Sequence, residues 1–253
     1  MGLRINQNVE AFNAYRNLSV TQGQMAKSLE KLSSGFRINR AADDAAGLSI
    51  SEGLRAQVGG LKVAVRNAQD GVSVVQTAEG ALTETHAILQ RMRDLAVQAS
   101  NGGSQDSTAQ AAANTEFGQL KTELDRIAKT TSFGGQKLLD VGVDPDGAGP
   151  LTPSTGYNGT FQVGANNSAD ERISVNLTAA VFGTPGAGVA TGFDSAGLGV
   201  NASAVDTTAN AQSAITAVDS AIKNVSTARA TLGAYQNRFE HTINNLNVAV
   251  ENL

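Results

Sequence analysis

The stretch LRAQVGGLKVAVRNAQDGVSVV, residues 54–75, carries an apolar residue at every seventh position. The series continues to Ala96, and three valines fall four residues after its first members. Apolar residues at this spacing form a seam along one side of an α-helix. The predicted helix covers about residues 44–100 and would be on the order of 80 Å long at 1.5 Å per residue. The seam of this arm consists of Leu54, Val58, Leu61, Val65, Ala68, Val72 and Val75.

A second series of this kind lies at the other end of the chain and predicts a helix over about 205–253. Its seam consists of Val218, Ile222, Val225, Leu232, Phe239 and Leu246. Because a long non-helical insert separates the two series, we expect the chain to turn and return antiparallel to itself. The predicted fold class is mainly α: a long antiparallel helical bundle or coiled-coil rod, with a small β-hairpin region between its arms.

Shorter patterns complete the helical elements. Apolar residues between Ala11 and Leu32 predict a first amphipathic helix that ends near Ser34-Gly35. A third helix is predicted over about 105–130, and the spacing of Ser107 and Gln110 is that of a capping box. In the long helix, the positions four residues after each member of the Leu54 series become polar near Glu79-Gly80. This change predicts a stutter in the supercoil.

The middle of the chain has a different composition. Residues 136–204 are rich in Gly, Thr and Ser, which predicts a β region. Phe161 and Val163 alternate with polar residues, as do the apolar residues from Ile173 to Leu177, so a hairpin with a turn near 165–170 is expected. Residues 179–204 offer too few large apolar side chains to predict more than loop or small β structure.

Composition and charge exclude several classes of protein. A net charge of −4 argues against binding to nucleic acid or to an anionic membrane surface, because both need clustered cations. No apolar run is long enough to span a bilayer, and no secretory signal is visible. The chain has no cysteine, which is compatible with either a cytoplasmic or an extracellular location.

Candidate chemistry is sparse. His86 and His241 each stand alone on predicted helices, so a metal site is not expected. The adjacent carboxylates of Asp43 and Asp44 suit the start of a helix better than general acid–base work. The spacing of the glycines does not match that of a phosphate-binding loop. We therefore predict neither an enzyme nor a cofactor.

Several short segments of the sequence resemble those of bacterial flagellins. LSSGFRINRAADDAAGLSI at residues 32–50 is similar to the signature of that family, as are residues 1–6 and 90–98. LGAYQNRFE at residues 232–240 resembles the C-terminal core of the family. The signature loop includes Arg37, Asn39, Arg40, Asp43 and Asp44.

The resemblance implies a structural subunit that polymerises into the flagellar filament used for swimming. It further implies export through the flagellar type III apparatus, addition under a filament cap, and an extracellular location in the flagellum. On the family's pattern, residues 1–43 are the N-terminal half of an inner, channel-lining domain with a connecting loop. Residues 44–253 are then a rod domain that contains the other helices and the β region.

The family continues beyond Leu253 with another amphipathic helix that partners the first one. We therefore expect residues 1–34 to be frayed in the isolated chain or dependent on neighbouring subunits. The isolated chain should be soluble, monomeric and poor at polymerising. The resemblance also implies recognition by a host Toll-like receptor, and the family's contact positions fall here on Arg91, Leu95 and Glu116.

Two other interpretations remain open. A cytoplasmic coiled-coil adaptor would explain the heptads but not the segments that resemble flagellins. A hook–filament junction protein of the same export family would share both features, although its matches to residues 33–50 and 90–98 should be weaker.

Overall fold

The computed structural model describes residues 8–102, 106–140, 157–177 and 192–253. Four helices dominate the described part: α1 (Val9–Ser34), α2 (Ala45–Ser100), α3 (Ser107–Thr130) and α4 (Thr208–Asn252). Two antiparallel strand pairs lie between α3 and α4 in sequence: β1 (Ser132–Phe133) with β2 (Gln136–Lys137), and β3 (Asn158–Gln162) with β4 (Arg172–Asn176). The predicted mainly α fold with a β-hairpin region is confirmed. Residues 179–191, half of the predicted loop at 179–204, lie outside the described residues.

The chain divides into two compact units, Met1–Val58 and Gly59–Leu253. This boundary falls inside α2, and the predicted division into domains after residue 43 stays a prediction. Burial accounts for the boundary: no residue of α2 before Leu61 is buried, and Leu54 of the predicted seam remains 37% exposed. The apolar repeat therefore begins to be covered only in the second unit.

In the first unit, caps define the two ends of α1 and the start of α2. Asn8 accepts a hydrogen bond from the N–H of Ala11, which starts α1, and Gly35 ends it with φ 73°. Asp44 caps α2 by accepting from the N–H of Gly47 at 2.8 Å. The predicted helix end at Ser34-Gly35 and the capping use of Asp44 agree with these contacts.

In the second unit, α2 and α4 run antiparallel. Four contacts place residues of rising number on α2 beside residues of falling number on α4. Leu61 clusters with Leu246, Gly71 lies against Phe239, Glu79 faces Arg229 at 3.7 Å, and Arg93 pairs with Asp219 at 2.7 Å. The predicted return of the chain is confirmed.

The helix α3 folds back along α2 as a third member of this bundle. Gln110 donates to the carbonyl of Ala99, and Glu116 pairs with Arg91. The side chain of Asp106 accepts from the N–H of Ala109 at 2.8 Å, so Asp106 and not Ser107 is the N-cap. The predicted capping box at Ser107 is wrong because Asp106, one residue earlier, already accepts from the N–H of Ala109, the third residue of α3.

The β3–β4 hairpin packs on the bundle, and its apolar and polar side chains alternate between its two faces as predicted. Ile173, Val175 and Leu177 are buried, and Phe161 meets Phe239 edge-on with ring centroids 5.4 Å apart. Asn67 on α2 donates its side-chain amide to the carbonyl of Gln162. The small β1–β2 hairpin was not foreseen. Its turn uses Gly134 and Gly135, whose φ angles of 57° and 82° suit a tight two-residue turn.

Candidate functional site

The seam of the second unit follows two unbroken heptad series on α2. The first agrees with the sequence pattern, and Leu61, Ala68 and Val75 are among its buried members. The second lies three residues later and consists mostly of small side chains. Its members are Ala64, Gly71, Ala78, Thr85, Met92 and Ala99.

The sequence predicted a different second series and a phase slip. Val58, Val65 and Val72 are only half-buried, at the side of the seam. Burial recurs at the same spacing on both sides of Glu79-Gly80, so the predicted stutter is wrong. The prediction placed the second series on the valines because they are the larger apolar residues. The observed series consists mostly of alanine and glycine because the two helices approach each other closely.

The facing series on α4 has the same construction. Val218, Val225, Leu232 and Phe239 are fully buried, and Leu246 is 7% exposed. Ile222 is half-buried and packs against the edge of the core. Alanines at 211, 214, 221 and 228 are also buried. Burying each large apolar side chain contributes roughly 1.5–3 kcal/mol, so this seam is the main source of stability in the unit.

The candidate receptor residues do not share one environment. Arg91 directs both Nε and Nη2 at Oε1 of Glu116, at 2.7 and 2.6 Å, on an exposed surface that joins α2 to α3. Leu95 is 3% exposed and belongs to the core. Leu95 lies one helical turn after Arg91 on the same side of α2, yet it is not a surface residue. At Leu95 this side of the helix is covered by the bundle.

The signature loop of the first unit is tied by charged side chains. Arg40 donates to Glu30 at 2.8 Å, and Asn39 also donates its amide to Glu30. Asp43 accepts the backbone N–H groups of Asn39 and Arg40 and lies 3.9 Å from Lys31. Arg37 is exposed.

These contacts shift the ionisation of two loop residues. The backbone N–H of Asn39 is the main cause of the lowered pKa of Asp43, helped by Arg40 and the nearby lysines and opposed by desolvation. The hydrogen bond to Glu30 raises the pKa of Arg40. Both shifts favour the charged forms that make these loop contacts.

One apolar surface of the first unit has no cover. No residue of α1 is buried, although Leu18, Met25 and Leu29 are among its apolar side chains. Their exposed fractions are 56%, 57% and 59%. A stripe of this size on a single helix is typical of a surface that meets other protein.

Among the described residues, no group of three or more potential metal ligands occurs. His86 is half-buried, with Nε2 3.0 Å from the side-chain nitrogen of Gln90, and His241 is exposed. Within the described helices, none is long and apolar enough to cross a membrane.

The bundle of long helices in the second unit and the uncovered apolar stripe in the first are features of a structural protein that assembles with other protein. Comparison with known families agrees. Residues 5–142 match the bacterial flagellin N-terminal helical region, and residues 215–253 match the bacterial flagellin C-terminal helical region. The chain belongs to the bacterial flagellin family.

Individual relatives support this assignment. A flagellin of Halalkalibacterium halodurans is 50% identical over 98% of this chain and 82% of its own length. A flagellin of Bacillus subtilis is 48% identical over 99% of this chain and 84% of its own length. The crystal structure of Bacillus cereus flagellin superposes with a TM-score of 0.55 at 31% identity, covering 72% of this chain and 88% of that one.

The chain is thus a structural subunit of the bacterial flagellar filament, which is extracellular, and it is not an enzyme. The interpretation as a hook–filament junction protein is not favoured, since flagellins match almost the whole chain. A putative flagellar hook-associated protein from Vibrio parahaemolyticus has a TM-score of 0.60 but only 16% identity, so the two share the fold alone.

Proposed function

We propose that α1 is the assembly arm of the subunit, whose apolar stripe becomes covered only within the filament as part of an inner, channel-lining domain. The observation that carries this is the absence of any buried residue along α1. Leaving the apolar residues of α1 in water forgoes roughly 1.5–3 kcal/mol per large side chain that burial would recover. Self-association therefore has a driving force that the isolated unit does not use.

Charged substitutions on the stripe test this proposal. Leu18→Glu or Leu29→Glu should leave the helical content of the isolated chain unchanged, because neither side chain is buried. Either change should prevent incorporation into filaments of a flagellated host that expresses the chain beside its own flagellin. Immunogold electron microscopy measures the incorporation.

Asn13→Glu is the matched control, because this exposed polar residue lies off the stripe. It should incorporate like the parent chain. Equal incorporation of Leu18→Glu and Asn13→Glu would exclude a role for the stripe.

We propose that the chain is secreted through the flagellar type III export apparatus and added beneath the filament cap, as expected for a flagellin. A host that lacks a functional export apparatus should retain the chain inside the cell. Its appearance in the medium of such a host would contradict the proposed route.

A second proposed function is recognition of the monomer by a host Toll-like receptor. The pair of Arg91 and Glu116 favours it, because an arginine held by a carboxylate on a helical surface presents an ordered planar donor. The buried position of Leu95 makes it a support for this surface instead of a direct contact. Arg91→Ala should then weaken receptor binding by ~2 kcal/mol or more, the size of a hot-spot residue.

Arg93→Ala is a closely matched control. Arg93 lies two residues away, is similarly exposed, and pairs with Asp219 on α4 at 2.7 Å. Its loss should leave receptor affinity unchanged while removing the same kind of interhelical ion pair. Equal affinities of the parent chain and Arg91→Ala, with both folded by circular dichroism, would refute the proposal.

A further inference from the structure

Residues 192–207 precede α4 and contain only turns and bends, yet they are well packed. Phe193, Leu198, Val200 and Val205 are between 0% and 3% exposed. We call this segment the strap. Irregular segments that bury their backbone need partners for its polar groups.

Three polar side chains of α3 supply partners to the strap. Asn114 accepts from the N–H of Val205 at 3.1 Å, and Asp125 accepts from the N–H of Ser195 at 2.8 Å. Between them, Lys121 donates to the carbonyls of Asn201 and Ser203 at 3.1 and 2.9 Å. The strap therefore runs antiparallel to α3, whose polar side chains bind its backbone, while its apolar side chains pack into the core.

Lys121 makes the central contact. Its ammonium group has donors for both carbonyls and lies 5.8 Å from the centre of the Phe117 ring. The side chain is half-buried, so these charge-assisted hydrogen bonds are less screened than those of a surface lysine. A single side chain of α3 thereby holds two points of the strap.

The strap also has an internal structure of its own. The carbonyl of Ser195 accepts from the N–H groups of Val200 and Asn201, both at 2.9 Å. Asp194 accepts from Leu198 through its carbonyl and from Gly197 through its side chain. A backbone hydrogen bond from Phe193 to Leu139, at 3.4 Å, leads outside the strap.

The helices, in contrast, satisfy their own backbone groups. The contacts between α2 and α4 run through the small-residue seam and the pairs of Arg93 with Asp219 and Glu79 with Arg229. The two ion pairs do not involve the strap, although its apolar side chains belong to the same core cluster as the seam. Because the strap has no helix or strand ladder of its own, its opening breaks few regular backbone hydrogen bonds, so it can open locally while the helices stay folded.

We propose that the strap is a separately releasable element, latched onto α3 by Asn114, Lys121 and Asp125. When the latch opens, the chain ahead of α4 is freed without separation of α2, α3 and α4. The element would let this part of the subunit move or rearrange while the rod keeps its shape.

Native-state amide hydrogen exchange of the 253-residue chain tests this proposal. In the parent, the amides of Ser195, Val200 and Val205 should exchange faster than the slowest amides of α4. Lys121→Met keeps the length of the apolar stem but removes the donors. It should raise exchange of the strap amides about tenfold or more, the loss expected for charged hydrogen bonds, with the slowest α4 amides unchanged.

Lys129→Met is the matched control: the same substitution at an exposed lysine of the same helix. It should leave the strap amides as they are in the parent. Asp125→Asn, which retains an acceptor oxygen for the N–H of Ser195, should also preserve protection, whereas Asp125→Ala should reduce it.

Asp125→Ala serves as the independent latch variant if Lys121→Met does not fold. The proposal would be overturned if the strap and the slowest α4 amides exchanged at one rate in the parent. It would also fail if a latch variant changed both by the same factor, or left the strap protection unaltered.

Discussion

Gly71 of α2 lies directly against the ring of Phe239 of α4: a Cβ atom on residue 71 would be 2.6 Å from Cζ of the ring. The same ring meets Phe161 of the hairpin edge-on at 5.4 Å. Phe239 thus joins two helices and the β3–β4 hairpin at one point. The absence of a side chain at residue 71 is what allows this approach.

We expect Gly71→Ala to destabilise the chain by about 1–3 kcal/mol, because the added methyl forces the ring of Phe239 out of place. At Gly80 on the same helix, an added methyl group would meet nothing within 4 Å, so Gly80→Ala should stabilise by roughly 0.5–1 kcal/mol through helix propensity. Urea unfolding measures both. Stabilisation by both changes would show that the Gly71 contact is not tight.

The phase of the α2 seam can be tested with two adjacent residues. Ala64 is 1% exposed and Val63 is 45% exposed. Ala64→Glu should destabilise by about 3 kcal/mol or more, because it places an unpaired charge in the seam. Val63→Glu should change the free energy of unfolding by less than about 1 kcal/mol. The reverse order would place the seam on the other side of the helix.

Leu95 and Arg91 should differ in their effects on stability. Leu95→Ala should cost about 2–5 kcal/mol, as expected for a buried leucine. Arg91→Ala should cost less than about 1 kcal/mol, because its ion pair with Glu116 is exposed to solvent. Denaturant unfolding of both variants checks the prediction. Similar small losses would mean that Leu95 is not part of the core.

The signature loop should respond to acid through Asp43. Its pKa is lowered in the folded loop, chiefly by the N–H of Asn39, so the stabilisation is present above the ordinary carboxyl pKa near about 4. It is lost as the pH falls through the lowered value. The amide signals of Asn39 and Arg40 should report this in a pH titration by NMR, and Asp43→Asn should remove the transition. An unchanged transition in that variant would assign it to another group.

Much of this fold follows from the sequence because heptads of large apolar residues are hard to mistake. The antiparallel return, the end of α1 and the β3–β4 hairpin were all predicted from spacing. The second series of the α2 seam was missed, because alanine, glycine and threonine at 64, 71 and 85 carry little apolar signal alone. Their role becomes visible only when the facing residue, such as Phe239, is known.

The candidate sites were less predictable for a similar reason. Heptad spacing places Arg91 and Leu95 on one side of a helix, but only the position of α3 and α4 determines which of them is covered. The N-cap at Asp106 and the strap depend on contacts that sequence periodicity does not encode. The roles of Arg91 and Glu116 in receptor binding stay predictions.

The most direct test of the central claim is amide hydrogen exchange over α1, measured in the isolated chain and again in filaments that contain it. We predict rapid exchange of α1 in the isolated chain and slow exchange in the filament. The buried stretches of α2 after Gly59 and of α4 should be protected in both. Equal protection of α1 in the isolated chain and the filament would contradict the claim that assembly covers its apolar stripe.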